Sequence, residues 1–186
     1  MIDSLADLAR RGPKDLDELL RMLPGIRKMR RINADTLRTL LDRPRRTCTW
    51  CGDPVAKGRS TWCGQDCVDA FMARCDPATQ VSLVRDRDGD ICVACGRDTK
   101  KAEQDANREL TQARAAGKFI VPESIAHPIR QRYGWARGRW REVDHIFPVS
   151  LGGGLLGIAN LRLLCGVCHL EATNKLAKLT AQRDRE

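Results

Sequence analysis

The residues best suited to chemistry are concentrated between Trp140 and Lys178, in WREVDHIFPVSLGGGLLGIANLRLLCGVCHLEATNKLAK. This stretch holds Asp144 beside His145, then Asn160, then Cys165-x-x-Cys168 followed at once by His169, and so two of the chain's three histidines. Adjacent strand residues point to opposite faces, so Asp144 and His145 are expected to do different jobs. An aspartate and a helix-borne imidazole, Asp144 and His169, make a two-ligand site for a hard divalent ion and leave positions open for water and phosphate. A histidine beside such an ion, with an ordinary pKa of roughly 6.5, can take a proton from water at neutral pH. That role falls to His145. The ion would act as a Lewis acid on the phosphorane charge and the leaving oxygen. Asn160 offers an amide donor and acceptor that could hold the intervening loop and orient His145.

These side chains need elements to place them. Residues 140–146 alternate enough for a strand, which Pro148 ends. Residues 150–157 hold four glycines and are expected to form a turn or flexible hairpin tip; GGGLLG is a weak pattern for a phosphate cradle. Leu161–Leu164 reads as a return strand, and Gly166-Val167 leads into a helix from Cys168 through Leu179. The expected order is strand, long hairpin loop, strand, helix, with His145 closing the first strand and His169 opening the helix.

Nine cysteines are the second chemical signal. Cys48-x-x-Cys51 and Cys63-x-x-x-Cys67 are two close pairs, and four thiolates so spaced suit a structural zinc ion at Zn–S of about 2.3 Å. Cys92-x-x-Cys95 finds its partner pair only at Cys165-x-x-Cys168, so a second zinc site must close a long loop. Cys75 is left over and reads as a small buried side chain. The N-terminal MIDSLADLARRG has neither the apolar core nor the cleavage-like site of a signal peptide. No apolar run reaches the ~20 residues of a membrane span. Many cysteines without an export signal point to metal thiolates rather than disulfides, and hence to the cytoplasm.

The net charge is +9, from 33 Lys and Arg against 24 Asp and Glu, while aromatics make up only 4%. Between Ser124 and Arg141 no acidic residue occurs, and Arg130, Arg132, Arg137, Arg139 and Arg141 interleave with Tyr133, Trp135 and Trp140. Basic side chains among aromatics suit a surface that touches phosphates and bases.

Elsewhere the pattern is helical. Asp3 or Ser4 caps a first helix with Leu5 and Leu8, stopped by Gly12-Pro13. A second runs from Asp15 to Leu23, with Leu16, Leu19, Leu20 and Leu23 at helical spacing, and Asn33 caps a third through Leu41. Arg27, Lys28, Arg30 and Arg31 lie on polar faces of this segment. The expected reading is an amphipathic cap with a solvated basic face; a DNA-contacting arm or a partner-docking segment are the alternatives. Asp76-Pro77 opens a helix ending near Gly89. A lightly packed helix over about 100–116, with Ala102, Ala106, Leu110 and Ala113 inward, stops at Gly117, and a short one covers 122–132. His127 is expected to be structural.

Asp144-His145, Asn160 and Cys165-x-x-Cys168-His169, within VDHIFPV, GGG and ANLRLLCGVCH, resemble the HNH nuclease motif in the version buttressed by two CxxC pairs. From about Cys48 to Lys178 the organisation is also similar to the HNH module of Swi/Snf-type fork-remodelling translocases. The resemblance implies an α+β fold: a ββα-metal, treble-clef-like core stapled by structural zinc, with a separate small zinc knuckle and an N-terminal helical segment. The expected domains are 1–46 (helical and basic), 47–75 (four-cysteine zinc knuckle) and 76–186 (nuclease), with a helical insert at about 97–139. It implies His145 as general base, Asp144 and His169 as ligands of a catalytic Mg²⁺ or Mn²⁺, and Asn160 as the orienting residue. Cys92, Cys95, Cys165 and Cys168 would hold structural zinc. The family commonly has Lys or Arg three residues after the final histidine; Ala172 stands there, and Lys175 is the substitute phosphate contact.

The implied activity is endonucleolytic hydrolysis of double-stranded or branched DNA, leaving 5′-phosphate ends, in a phage, restriction or defence, or repair setting. A protein partner could aim it. No Walker-type phosphate loop occurs, so no motor is expected within these residues. The alternative is a non-catalytic zinc-ribbon DNA-binding module, which explains the cysteines and charge but not the Asp-His pair with its spaced Asn and His. A zinc deaminase is excluded, because His169-Leu-Glu171 lacks the Pro-Cys-x-x-Cys that must follow it. Specificity, oligomeric state and the choice between nick and double-strand cut are not legible.

Overall fold

The computed structural model describes residues 14–22, 24–117 and 120–183. The expected first helix with Leu5, Leu8 and its Gly12-Pro13 stop lies outside them, as do Leu23 and the Leu19 side chain. The elements are α1 (Lys14–Met22), a single helical turn (Pro24–Arg27), α2 (Ala34–Leu40), α3 (Gln65–Cys75), α4 (Pro77–Asp88), α5 (Thr99–Ala115), α6 (Glu123–Arg132), β1 (Arg141–His145), two 3-10 turns (Val149–Leu151 and Ile158–Asn160), β2 (Leu161–Cys165) and α7 (Gly166–Arg183). The fold is α+β, with one two-stranded sheet of β1 and β2. Backbone contacts divide it into two compact units. One takes the described residues up to Arg87 together with His145–Leu161; the other takes Asp88–Asp144 together with Arg162 onward.

In the first unit, capping chemistry sets the helix starts. Asn33 accepts a hydrogen bond from the Thr36 N–H at 2.8 Å and opens α2. Asp76 accepts from the N–H and hydroxyl of Thr79, both at 2.9 Å, and opens α4. The Thr79 N–H holds the Asp76 carboxyl below its ordinary range, helped by the Thr79 hydroxyl and the nearby Arg31 charge. Leu16, Leu20, Ile26, Ile32 and Leu37 then pack into one cluster with Cys48, Trp50, Phe71, Cys75 and Leu155. The amphipathic N-terminal helices are thus covered by the cysteine-rich segment, and Trp50 and Trp62 both contact the Phe71 ring.

Polar braces tie the same unit to the hairpin loop. The buried Arg74 pairs with Asp17 and donates to the Leu155 carbonyl at 2.7 Å. The Gln80 side chain donates to the Arg74 carbonyl at 2.8 Å. Arg87 donates to the Ile158 and Leu161 carbonyls at 2.9 and 2.8 Å. The glycine stretch is therefore no flexible tip, contrary to expectation. Residues 152–155 are all buried, and a Cβ on Gly154 would lie 1.8 Å from the Met29 carbonyl oxygen. Glycine is required there because two backbones meet with no room for a side chain.

In the second unit, Asp98 caps α5 through the Lys101 N–H at 2.9 Å. The Ala106–Leu110 face of α5 packs against Ala126 and Ile129 of α6, with Tyr133 and Trp140 alongside. Arg137 and Gly138, at φ of 47° and 80°, turn a small hairpin closed by the Ala136–Arg139 bridge, as a two-residue turn of that hand demands. Cys92, Leu164 and Cys165 form a separate small core with Val167, Cys168 and Ala172. A Cβ on Gly166 would fall 2.3 Å from the Arg139 carbonyl oxygen and 2.5 Å from the Ala136 nitrogen, so only glycine can start α7 at that point. Among the described residues no helix is long and apolar enough to cross a membrane.

Candidate active site and metal centres

Both expected cysteine tetrads assemble. The Sγ atoms of Cys48, Cys51, Cys63 and Cys67 lie within 4.8 Å of one another, as do those of Cys92, Cys95, Cys165 and Cys168. Individual Sγ–Sγ separations are 3.6 Å for Cys51–Cys63, 3.5 Å for Cys63–Cys67 and 3.9 Å for Cys95–Cys165. A zinc tetrahedron with bonds of about 2.3 Å has edges of about 3.8 Å, so the thiols fit that ion. Their electrostatics point the same way. Burial opposes ionisation of Cys48, but the N–H groups of Cys51, Cys63 and Trp50 more than offset it and bring the thiol to about 7. Cys92 reaches about 7 for the same reasons, with N–H groups of Cys165, Cys95 and Ala94. Burial and the neighbouring thiols push Cys51 up to about 12 and drive Cys67 and Cys168 up as well. Cys48 and Cys92 thus form thiolates readily while Cys51, Cys67, Cys165 and Cys168 resist, and a divalent cation removes that resistance. Cys75 stands apart, fully buried in the first unit's core, and burial raises its thiol to about 12.

The sheet register places the acidic site residue. The Gly166 N–H donates to the Trp140 carbonyl and the Ile146 N–H to the Asn160 carbonyl, a register in which Asp144 faces Arg162 across the strands. Arg162 grips it: Nε and Nη2 both donate to Asp144 Oδ2, at 3.1 and 2.9 Å. The sequence reading missed Arg162, although the antiparallel register of the two strands was enough to find it. His145 closes β1 and is half-buried. His169, on the first turn of α7, is also half-buried, and its carbonyl accepts from the Thr173 hydroxyl at 2.9 Å.

Asn160 works on the loop backbone. Its Oδ1 accepts from the Phe147 N–H at 2.8 Å, and its Nδ2 donates to the carbonyls of Phe147 at 3.0 Å and Gly153 at 2.9 Å. One amide thereby fixes the chain two residues beyond His145 and pulls the glycine stretch onto it. A Cβ on Gly153 would sit 1.8 Å from the Phe147 oxygen, so the brace depends on that glycine.

The arginine and aromatic stretch is more engaged than its spacing implies. Arg130 pairs with Glu123, Arg132 with Glu109, Arg139 with Glu142, and Arg141 with Asp90 and Glu103. Tyr133 and Trp140 pack beside the α5–α6 core, and Trp135 meets the His127 ring edge-on at 5.4 Å. Much of this pattern serves packing: the carboxylates that pair with the arginines come from outside the acid-free stretch. Arg137 and Lys175 are exposed.

Residues 134–175 match the HNH endonuclease family model. The HNH segment so defined spans the end of the arginine stretch, both strands and the start of α7, with Asp144, His145, Asn160, Arg162 and His169 inside it. The chain is 29% identical over 155 residues to the DNA annealing helicase and endonuclease ZRANB3 of Bos taurus, and 28% identical over 158 residues to that of Homo sapiens. In each case 75% of this chain is covered but only 14% of the relative. The crystal structure of the human ZRANB3 HNH domain aligns with 60% of this chain and 97% of its own, at 24% identity and a TM-score of 0.40.

Proposed function

We propose that this chain is a metal-dependent HNH endonuclease that hydrolyses DNA phosphodiester bonds, nicking one strand or cutting both. The observation that carries the reading is the HNH match over 134–175, because it encloses a set of side chains with complementary chemical roles. In this reading His145 is the general base and takes a proton from the attacking water. Asp144 and His169 hold a divalent ion, Mg²⁺ or Mn²⁺. Arg162 occupies Asp144 Oδ2, leaving Oδ1 for that ion and fixing the plane of the carboxylate. The ion would supply Lewis-acid stabilisation of phosphate charge. Asn160 keeps the loop after His145 in place through Phe147 and Gly153.

The two tetrads hold structural zinc in this reading and carry no chemistry of their own. Functionally the chain divides into a basic helical segment at 1–46, a four-cysteine knuckle at 47–75 and the nuclease at 76–186, with its helical insert at about 97–139. The substrate is double-stranded or branched DNA, consistent with a net charge of +9. Of the cations expected on phosphate, Arg137 and Lys175 are exposed, while Arg130, Arg132, Arg139 and Arg141 must share their charge with carboxylates. Free thiols gathered for metal suit a reducing compartment such as the cytoplasm. A protein partner supplies targeting.

The test is incubation of labelled linear and forked duplexes with the protein and Mg²⁺ or Mn²⁺, followed by ligation of the products. Endonucleolytic fragments with ligatable 5′-phosphates support the reading. Salt-sensitive binding with no cleavage under either ion would favour a non-catalytic zinc module instead.

A further inference from the structure

The N-terminal basic segment is welded to the hairpin loop of the nuclease, and its role follows from where it lies. From Arg27 to Arg31 the chain reads RKMRR, and no acidic residue occurs between Glu18 and Asp35. Lys28, Arg30 and Arg31 are exposed, and Met29 between them is 41% exposed. The backbone beneath is fixed. The Gly154 N–H donates to the Arg27 carbonyl at 2.9 Å, and a Cβ on Gly154 would meet the oxygens of both Met29 and Arg27. The Arg27 side chain lies over Gly152, close enough that a Cβ there would be 3.2 Å away. On its other flank the Ile32 N–H donates to the Cys75 carbonyl at 3.4 Å, and Ile26 and Ile32 are buried in the first unit's core. Burying both isoleucines leaves the cations between them facing outward on a short, held segment.

That segment lies against the loop that leaves His145. Residues 145–161 belong to the same compact unit, and in that loop Ile146 is 54% and Phe147 40% exposed, with the Phe147 backbone held at both its N–H and its carbonyl by Asn160. Three cations without an intervening acid, on a backbone fixed before any ligand arrives, lose little entropy on meeting a row of phosphates. They also differ from the arginines of the insert, most of which are neutralised by carboxylates. Asp76 is an acid whose charge reaches this segment, through Arg31, and it is already committed to capping α4.

We infer that Lys28, Arg30 and Arg31 form a phosphate-binding strap that grips the DNA backbone beside the nuclease hairpin. This inference rests on the nuclease reading above. It assigns residues 24–33 a part in substrate binding, and it commits to the sugar-phosphate backbone of duplex DNA rather than a protein surface.

The test compares wild-type protein with the Lys28→Ser/Arg30→Ser/Arg31→Ser variant. Binding to a short duplex is measured without added divalent cation, so that nothing is cut, across a range of salt concentrations. Arg108→Ser, which removes a cation paired with Asp105 at 3.2 Å and given no part in DNA binding, serves as the control for a cation already paired. Each phosphate released from a cation should lower the slope of log K against log salt by about 0.9, so the strap variant should lose about 2–3 in slope and bind at least tenfold more weakly. In the cleavage assay its KM should rise while kcat stays within about twofold. An unchanged slope and affinity in a folded strap variant overturns the strap and leaves the nuclease reading standing. A wild-type protein that neither binds nor cleaves DNA overturns both. A fall in slope for Arg108→Ser equal, per cation removed, to that of the strap variant also overturns the assignment, since the grip would then be general surface charge.

Discussion

In the proposed site Asp144 would hold a divalent ion while it pairs with Arg162. A carboxylate that serves an ion must be held in one orientation, and the two hydrogen bonds to Oδ2 supply that restraint. Partners behind a metal ligand are worth about 10–100-fold in affinity or activity. Arg162→Gln should therefore lower cleavage by about that factor in a chain that remains folded, with part of the loss recovered at high Mn²⁺; full activity across the titration would show that Arg162 has no positioning role. Gly153 is a second such position. Its replacement by Ala drives a methyl group into the Phe147 carbonyl and the Asn160 amide, and overpacking of this kind costs about 1–3 kcal/mol. Denaturant unfolding of Gly153→Ala should register it. At Asp76 the sign of the pH effect follows from its lowered pKa. The cap contributes stability above the ordinary carboxylate range and loses it as pH falls through the depressed value. Asp76→Ala should cost about 1 kcal/mol at neutral pH and progressively less in acid.

At the scale of elements, the strand–loop–strand–helix order, its boundaries to within a few residues and the caps at Asn33 and Asp76 were legible because each rests on local chemistry. The hairpin loop was not. Four glycines read as freedom when only the sequence is known, yet Gly153 and Gly154 are glycine because backbone from residues 27–29 and 147 presses on them. The approach of Gly154 to Met29 joins segments far apart in the chain, and no period or spacing announces it. The arginine and aromatic stretch misled for the same reason: Glu103, Glu109 and Asp90, which neutralise Arg141 and Arg132, lie outside it in sequence. Arg74 is the long-range brace with the clearest consequence. Arg74→Met strands the Leu155 carbonyl and removes the Asp17 pair, and hydrogen bonds to charged groups contribute about 1.5–3 kcal/mol each. A thermal melt should show a loss of at least that size in a variant that still binds zinc.

For the whole molecule, zinc is the dominant staple in the proposed reading. Each compact unit contains one complete tetrad, and structural zinc contributes roughly 10–16 kcal/mol to the folding of small zinc peptides. Metal analysis should return two zinc ions per chain. Cys48→Ser and Cys165→Ser should each lose one of them and unfold the unit concerned; a variant that stays folded with both ions would contradict the ligand assignment. Acidification should release zinc as protons compete for the thiolates.

The central claim is that His145 acts as the base of a metal-dependent nuclease, and supercoiled plasmid tests it most directly. Wild-type protein and His145→Ala are incubated with the plasmid in Mg²⁺, in Mn²⁺ and with no divalent ion, with zinc content and folding checked in parallel. The account predicts metal-dependent conversion to nicked or linear plasmid by the wild type, and none by a folded, zinc-replete, DNA-binding His145→Ala. Cleavage that survives in that variant would contradict it.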